Sequence, residues 1–231
     1  MKVAAYKLLA FDTSTDVMFI AVTDGHHTWQ HTAAGGAQTS AALIPAIMAF
    51  LAQAHLQLTD LDAIVFGRGP GSFTGLRTAC SVAQGLAFGA GGLTVLPLDT
   101  LLAVAEEARF KAGATQIHAV LDARMGEVYA ARYSYNVNKI DGFWQPQSEI
   151  QLVKPDQLTL DAAYTVAGNM PSATVTALPT ATAMLRLAPR MLAAGLGVAA
   201  EQALPLYIRD KVAQTTAERA DLKTQALKLI A

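Results

Sequence analysis

Ala10-Phe11-Asp12-Thr13-Ser14-Thr15-Asp16-Val17-Met18-Phe19-Ile20-Ala21 and Val120-Leu121-Asp122-Ala123-Arg124-Met125-Gly126-Glu127-Val128-Tyr129-Ala130-Ala131 share one plan: an apolar strand, an aspartate, a short turn, an acidic residue and a second strand led by valine. The apolar runs flanking each turn have the length and composition of buried strands, so each segment predicts a hairpin that delivers an aspartate to its turn. The second turn is one residue longer than the first. Strands draw on a small alphabet and two hairpins can match by chance; a true repeat makes the chain two related halves.

Around the first hairpin, His27 to Ala33 predicts a third strand behind the Asp24-Gly25 turn, Ser40 to His55 a helix and Ala63 to Phe66 a strand. Leu76 to Phe88 then reads as a helix and Leu93 to Leu96 as a strand. Thr100 to Phe110 sets Leu101, Val104, Ala105 and Ala108 on one face, as a linking helix would. Beyond the second hairpin, Tyr164 to Ala167 predicts a strand, Thr182 to Ala194 a helix containing Pro189, and Glu218 to Ile230 a terminal helix. Two facing halves of this kind describe an α/β chain of the actin-like ATPase (ribonuclease H-like) fold, in which paired turns grip nucleotide phosphates from opposite sides. The division falls near Leu98, giving an N-terminal lobe of residues 1–98 and a C-terminal lobe of residues 99–231 with the terminal helix.

Of the 231 residues 52% are hydrophobic and only 15% charged, against about 25% charged in an average soluble domain. Two charge-free stretches, Gly25 to Thr59 and Thr78 to Leu98, are broken by glycines and, in the first, by histidines, glutamines and Pro45. Neither offers the ~20 consecutive apolar helical residues that a bilayer requires. The missing charge therefore predicts burial, within the chain or against a partner. No apolar block with a small-residue cleavage site follows Lys2 and Lys7, so no signal peptide and a cytoplasmic location are expected. Cys80 is the single cysteine, which excludes an internal disulfide and suits a small apolar core residue. A net charge of −1 provides no electrostatic footprint for holding nucleic acid alone.

Gly67-Arg68-Gly69-Pro70-Gly71-Ser72-Phe73-Thr74-Gly75-Leu76-Arg77 joins a strand to a helix, where glycines permit tight turns and late amides can face an anion. A phosphate-binding P-loop needs Lys and then Ser or Thr after its last glycine, but Leu76 and Arg77 stand there. The dinucleotide fingerprint fails at its third glycine, and Ser72 and Thr74 suit helix capping. The weak candidates for a nucleotide are Asp12, Thr13, Ser14, Gly69, Gly71 and Ser72, with a structural loop the favoured reading. Asp12 and Asp122 can in principle hold magnesium through water. The turn after Asp122, however, offers side-chain bulk where a phosphate needs open backbone. His27 and His31 have the spacing of a metal pair but lack a third ligand and suit a solvated edge. HExxH and GxSxG are absent, so no catalytic or metal-binding residue is assigned.

In the Ser40 to His55 helix, Leu43, Ile44, Ile47, Met48, Phe50, Leu51 and Ala54 fall in one arc, expected to pack on a sheet. The opposite side holds Ala42, Ala46, Ala49, Ala52 and Gln53 without a charge, where a solvated face normally carries Lys or Glu. Alanine's helix propensity alone can explain such a face; the alternative is a helical interface of Ala42, Ala46, Ala49 and Gln53 with Leu76, Cys80 and Gln84 from the next helix.

The segments Leu9 to Thr15, Gly67 to Arg77 continuing into Ala83-Gln84-Gly85-Leu86-Ala87, and Leu121 to Tyr129 together resemble the TsaB (YeaZ) family, and Pro205 to Ala213 resembles that family's closing strand. The resemblance implies a two-lobed actin-like protein without chemistry of its own, a homodimer that also binds the catalytic subunit TsaD and, through it, the ATPase TsaE. It implies a role in attaching threonylcarbamoyl to adenosine beside the anticodon of ANN-decoding tRNAs. No cofactor is then expected on the isolated chain, ATP or ADP only in the complex, and tRNA contact only through the complex. Thr39-Ser40 departs from the family's usual His-Ser. The alternatives are a small actin-fold metabolite kinase using Asp12 and the glycine-rich loop, or a peptidase, as older labels for the family suggest.

Overall fold

In the computed structural model, which describes residues 5–136 and 143–209, β1 (Leu8–Asp12) is buried at every position. A strand covered on both faces must be apolar throughout, which is why its sequence does not alternate. β1 pairs antiparallel with β2 (Val17–Thr23), which pairs antiparallel with β3 (Thr28–Ala34). On its other side β1 runs parallel to β4 (Ala63–Gly69), and β4 parallel to β5 (Thr94–Asp99), giving the order β3-β2-β1-β4-β5. α1 (Thr39–Gln53) and α2 (Phe73–Gly89) cover one face of this sheet, where Leu9, Phe11, Met18 and Ile20 meet Leu43, Ile47, Ala79 and Ala83.

The chain leaves the first sheet after Asp99 through α3 (Thr100–Ala112). It then builds β6 (Gln116–Arg124), β7 (Glu127–Asn136), β8 (Phe143–Pro146), β9 (Gln151–Val153), β10 (Thr165–Gly168) and β11 (Val175–Thr176). The second sheet has the order β11-β10-β6-β7-β8, with β9 also paired to β7. β6 is antiparallel to β7 and parallel to β10, so the second hairpin occupies in its sheet the place the first occupies in its own. The internal repeat is thus real in topology. Its turns differ: β6 continues to Arg124, and Arg124 and Met125 take the left-handed backbone conformation to close a tight turn.

α4 (Ala181–Ala193) packs against α3 and reaches back to β1 and β2 of the first sheet, and Val198 forms a bridge with Val95. α3 and α4 therefore form a layer between the two sheets, and Leu8, Ala10, Leu101, Val104, Ile117 and Met184 belong to one shared core. The expected helix over residues 218–230 lies outside the described residues, as does the end of the expected closing strand; residues 205–209 form no strand.

Within this apolar layer α3 carries two buried carboxylates, Glu106 and Glu107. Arg186 of α4 donates to both, at 3.0 Å to Glu106 and 2.8 Å to Glu107. Arg109 forks onto Glu106 at 2.8 and 2.9 Å, Trp144 donates its indole N–H to Glu106 at 2.9 Å, and Thr180 donates to Glu107 at 2.8 Å. Burial raises the Glu107 pKa, but the Thr180 hydroxyl and the Arg186 and Lys111 cations outweigh it and hold the carboxyl below its ordinary value. Removing one partner from a buried ionic cluster leaves charge uncompensated. Arg186→Leu is expected to lower stability by about 3 kcal/mol, read as a fall in the denaturant midpoint at neutral pH. An unchanged midpoint contradicts this account of the layer.

Candidate functional site

The turns of the two hairpins face each other across a cleft of about 270 Å³, bordered by Ser14, Asp16, Ser72, Asp122, Arg124 and Arg209. Asp12 is fully buried beneath it. Its Oδ1 accepts from the Ser14 N–H at 2.8 Å and the Ser14 hydroxyl at 2.6 Å, and its Oδ2 accepts from the Thr100 hydroxyl at 3.3 Å. Burial pushes the carboxyl pKa up to about 6, against the opposing pull of the Ser14 and Thr100 donors.

The glycine-rich loop lies directly on this turn. A Cβ at Gly67 would collide with the Asp12 carboxylate, and one at Gly75 with the Thr13 carbonyl. Thr13 donates its hydroxyl to the Gly75 carbonyl at 2.7 Å, and the Ser72 N–H donates to the Ser14 carbonyl at 2.7 Å. Ser72 caps α2 by accepting the Gly75 N–H at 3.5 Å, which starts the helix at Phe73 rather than Leu76. Of the six nucleotide candidates, Asp12, Thr13, Ser14 and Gly69 are buried, while Gly71 and Ser72 reach the cleft surface more fully. The loop's glycines are accounted for by close packing on protein.

Across the cleft, the Arg124 guanidinium pairs with Asp16 of the first turn and lies 3.7 Å from Asp122. The Asp16 hydrogen bond and charge, with Asp122, hold Arg124 firmly in its charged form. Arg209 pins the second turn, donating to the Ala123 carbonyl at 2.9 Å and to Glu127 at 2.8 Å. Asp122 donates its backbone N–H to Asn169 at 2.9 Å. Asn169 carries no sequence signal and Arg209 stands out only within the Pro205 to Ala213 resemblance, because both act on a turn made by distant residues. Among the described residues no group of three or more His, Cys, Asp and Glu is placed to hold a metal ion. His31 stacks on Phe50 at 5.3 Å, while His27 contacts Asp24 at 3.2 Å.

The outer helical face differs from expectation in two ways. Thr39, Leu43, Ile47 and Leu51 form the buried stripe of α1, continued by Ala54 just past its end, whereas Ile44 and Met48, expected in the core, are 43% and 47% exposed. α1 lies over β2 and β3 with α2 on only one flank, so a single narrow stripe suffices to bury it. Ala42, Ala49 and Gln53 are exposed and Ala46 half-buried. Leu76 and Cys80, expected at the interface, are instead core residues, 1% and 5% exposed. Cys80 and Gln84 both donate to the Ala203 carbonyl, at 3.0 and 2.9 Å, because the chain returning after α4 covers that flank of α2. The exposed stripe of α2 is the neighbouring one, Arg77, Ser81, Gly85 and Phe88.

The family described as TsaD, tRNA N6-adenosine threonylcarbamoyltransferase, matches residues 30–229. The tRNA threonylcarbamoyladenosine biosynthesis protein TsaB of Escherichia coli is 34% identical over 226 residues, covering 90% of this chain and 96% of the relative. Its counterpart in Haemophilus influenzae is 36% identical, covering 89% and 94%. This chain belongs to the TsaB (YeaZ) family. The solved structure of YeaZ from Pseudomonas aeruginosa superposes with a TM-score of 0.78 at 33% identity, covering 88% of this chain and all of that one. The two mixed sheets are thus the two-lobed actin-like fold of the TsaD and YeaZ proteins. Thr39, where the resemblance leads one to expect histidine, is 3% exposed, and its hydroxyl has no hydrogen-bond partner among the described residues. No described helix is long and apolar enough to cross a membrane.

The raised Asp12 pKa has a definite sign. A carboxyl whose folded pKa exceeds its unfolded value contributes stability below the unfolded value of 3.8, and that contribution is lost as pH rises through about 6. Asp12→Asn retains acceptor capacity at this site without the buried charge. It is expected to gain roughly 2–3 kcal/mol over the native chain at pH 8, at about 1.4 kcal/mol for each tenfold change in proton affinity, and to lose that advantage near pH 4. Thermal unfolding of both proteins across this range checks it, and a difference independent of pH refutes it.

Proposed function

We propose that this chain is a non-catalytic scaffold subunit of the cytoplasmic machinery that attaches threonylcarbamoyl to adenosine next to the anticodon of ANN-decoding tRNAs, and that it binds the catalytic TsaD subunit. Family membership supports the pathway, since the relatives are TsaB proteins of tRNA threonylcarbamoyladenosine biosynthesis. The observation that carries the scaffold role is the outer face of α1, which exposes Ile44, Met48 and Ala49 and has no charged residue along its length. Exposed large aliphatics on an uncharged helix cost solubility unless another surface covers them. TsaD covers this face in the active assembly, and a second copy of the chain covers it in the homodimer. TsaE joins through that assembly, and tRNA is held by partners, in keeping with the net charge of −1.

In the isolated chain the cleft takes no ATP. A phosphate entering it would have to displace the Arg124–Asp16 pair and would meet two carboxylates, Asp16 and Asp122, at the same surface. ATP or ADP belongs to the assembled complex. The kinase and peptidase alternatives have no observation in their favour.

Coexpression with TsaD of the same organism is expected to yield a stable complex that raises transferase activity in a reconstituted system. Ala49→Glu is expected to keep native circular dichroism and weaken that complex at least tenfold, because an unpaired carboxylate resists burial by roughly 2 kcal/mol or more. Calorimetric titration of the isolated chain with magnesium ATP is expected to give no saturable heat. Tight ATP binding, or a complex indifferent to Ala49→Glu, contradicts the respective part of the reading.

A further inference from the structure

α1 and α2 together carry a single charged side chain, Arg77. It stands at the N-terminal end of the exposed α2 stripe continued by Ser81, Gly85 and Phe88, with Phe88 80% exposed. Its guanidinium lies 3.9 Å over the Phe73 ring, and its Nε donates to the Tyr207 hydroxyl at 3.2 Å. The Phe73 and Tyr207 rings are themselves 5.0 Å apart, so the cation is held in place by its neighbours. None of the ion pairs among the described residues involves Arg77. A fixed, stacked guanidinium with no carboxylate partner among the described residues, at the rim of an apolar helical face, is poised for an acceptor from outside.

We propose that Arg77 selects the partner on this face: it favours a different protein whose apolar helical surface carries an Asp or Glu opposite it, and disfavours a second copy of the chain. The inference rests on the reading that the α1 and α2 face is the docking surface. A second copy docking isologously presents the same two helices, which hold no carboxylate and bring another Arg77. Covering the cation then costs desolvation without return, whereas a partner carboxylate converts it into a charge-assisted fork. Specificity arises from both terms, one attractive and one repulsive. Among the described residues, an acid that a second copy could bring from the flank is Glu201, exposed on the 3-10 turn Ala200–Gln202 beside α2.

The test uses the full chain, with TsaD from the same organism as the probe for hetero-association and sedimentation equilibrium for self-association. Arg77 is exposed, and circular dichroism is expected to be unchanged in its variants. Arg77→Ala is expected to weaken TsaD binding on the order of tenfold, Arg77→Glu more strongly, and Arg77→Ala is expected to leave self-association unchanged or tighter. The salt dependence of TsaD binding is expected to shrink in Arg77→Ala, since a charge pair is lost. Ala49→Glu separates the two levels. If it leaves TsaD binding intact, the docking face is wrong and the proposal falls with it. If it abolishes binding while Arg77→Ala leaves binding unchanged, or weakens self- and hetero-association equally, the face stands and the selector is overturned. Glu201→Gln weakening self-association as much as Arg77→Ala does would place the carboxylate on a second copy and overturn it as well.

Discussion

The glycine-rich loop lies flat on the first hairpin turn, and the rest of the first lobe is arranged around that contact. Asp12 and Thr13 approach the backbone at Gly67 and Gly75 so closely that no side chain fits between them. The contact fixes where β4 ends and where α2 begins, because Ser72 both bonds to Ser14 and caps the helix. The start of α2 in turn sets its rotation, and hence which stripe it shows to solvent. A motif that in outline resembles a phosphate cradle here packs on the first turn, with the Ser72 amide and hydroxyl and the Gly75 amide and carbonyl bonded to the protein itself.

The second hairpin repeats the topology of the first without repeating its chemistry. β6 takes the place of β1, flanked by an antiparallel and a parallel neighbour, but it extends two residues past its aspartate before turning. That extension brings Arg124 into the cleft and puts Asp122 at the surface, whereas Asp12 is sealed in. Two related frames thus carry a buried, hydrogen-bonded acid on one side and an exposed ionic cluster on the other. The asymmetry supports the proposal that the isolated chain takes no ATP in this cleft.

Much of the fold was legible because burial on both sides writes long apolar runs, and turns between them are marked by polar residues. The hairpins, β4, β5, α3 and α4 could be read this way. The outer surfaces were less legible. Ile44 and Met48 look like core residues in a helical wheel, but how wide a stripe is buried depends on what flanks α1, which no local pattern reveals. On α2 the sequence alone places the stripe Leu76, Cys80 and Gln84 outside, one step of rotation away from Arg77, Ser81 and Gly85, because the covering segment around Ala203 is more than a hundred residues distant. Glu106 and Glu107 gave no signal of burial: their partner Arg186 lies 80 and 79 positions further along the chain.

The return of α4 to the first sheet bears on how the chain comes into being. β1 leaves the ribosome well before α4, yet one of its faces is covered by residues of Ala181–Ala193. Synthesis at ~5–20 residues per second leaves a nascent first sheet waiting on the order of ten seconds for that cover. During that interval Leu8, Ala10 and Phe19 stay open on one side, so the lobes cannot mature as independent beads, and a truncated or stalled product presents a sticky half-sheet to chaperones and proteases.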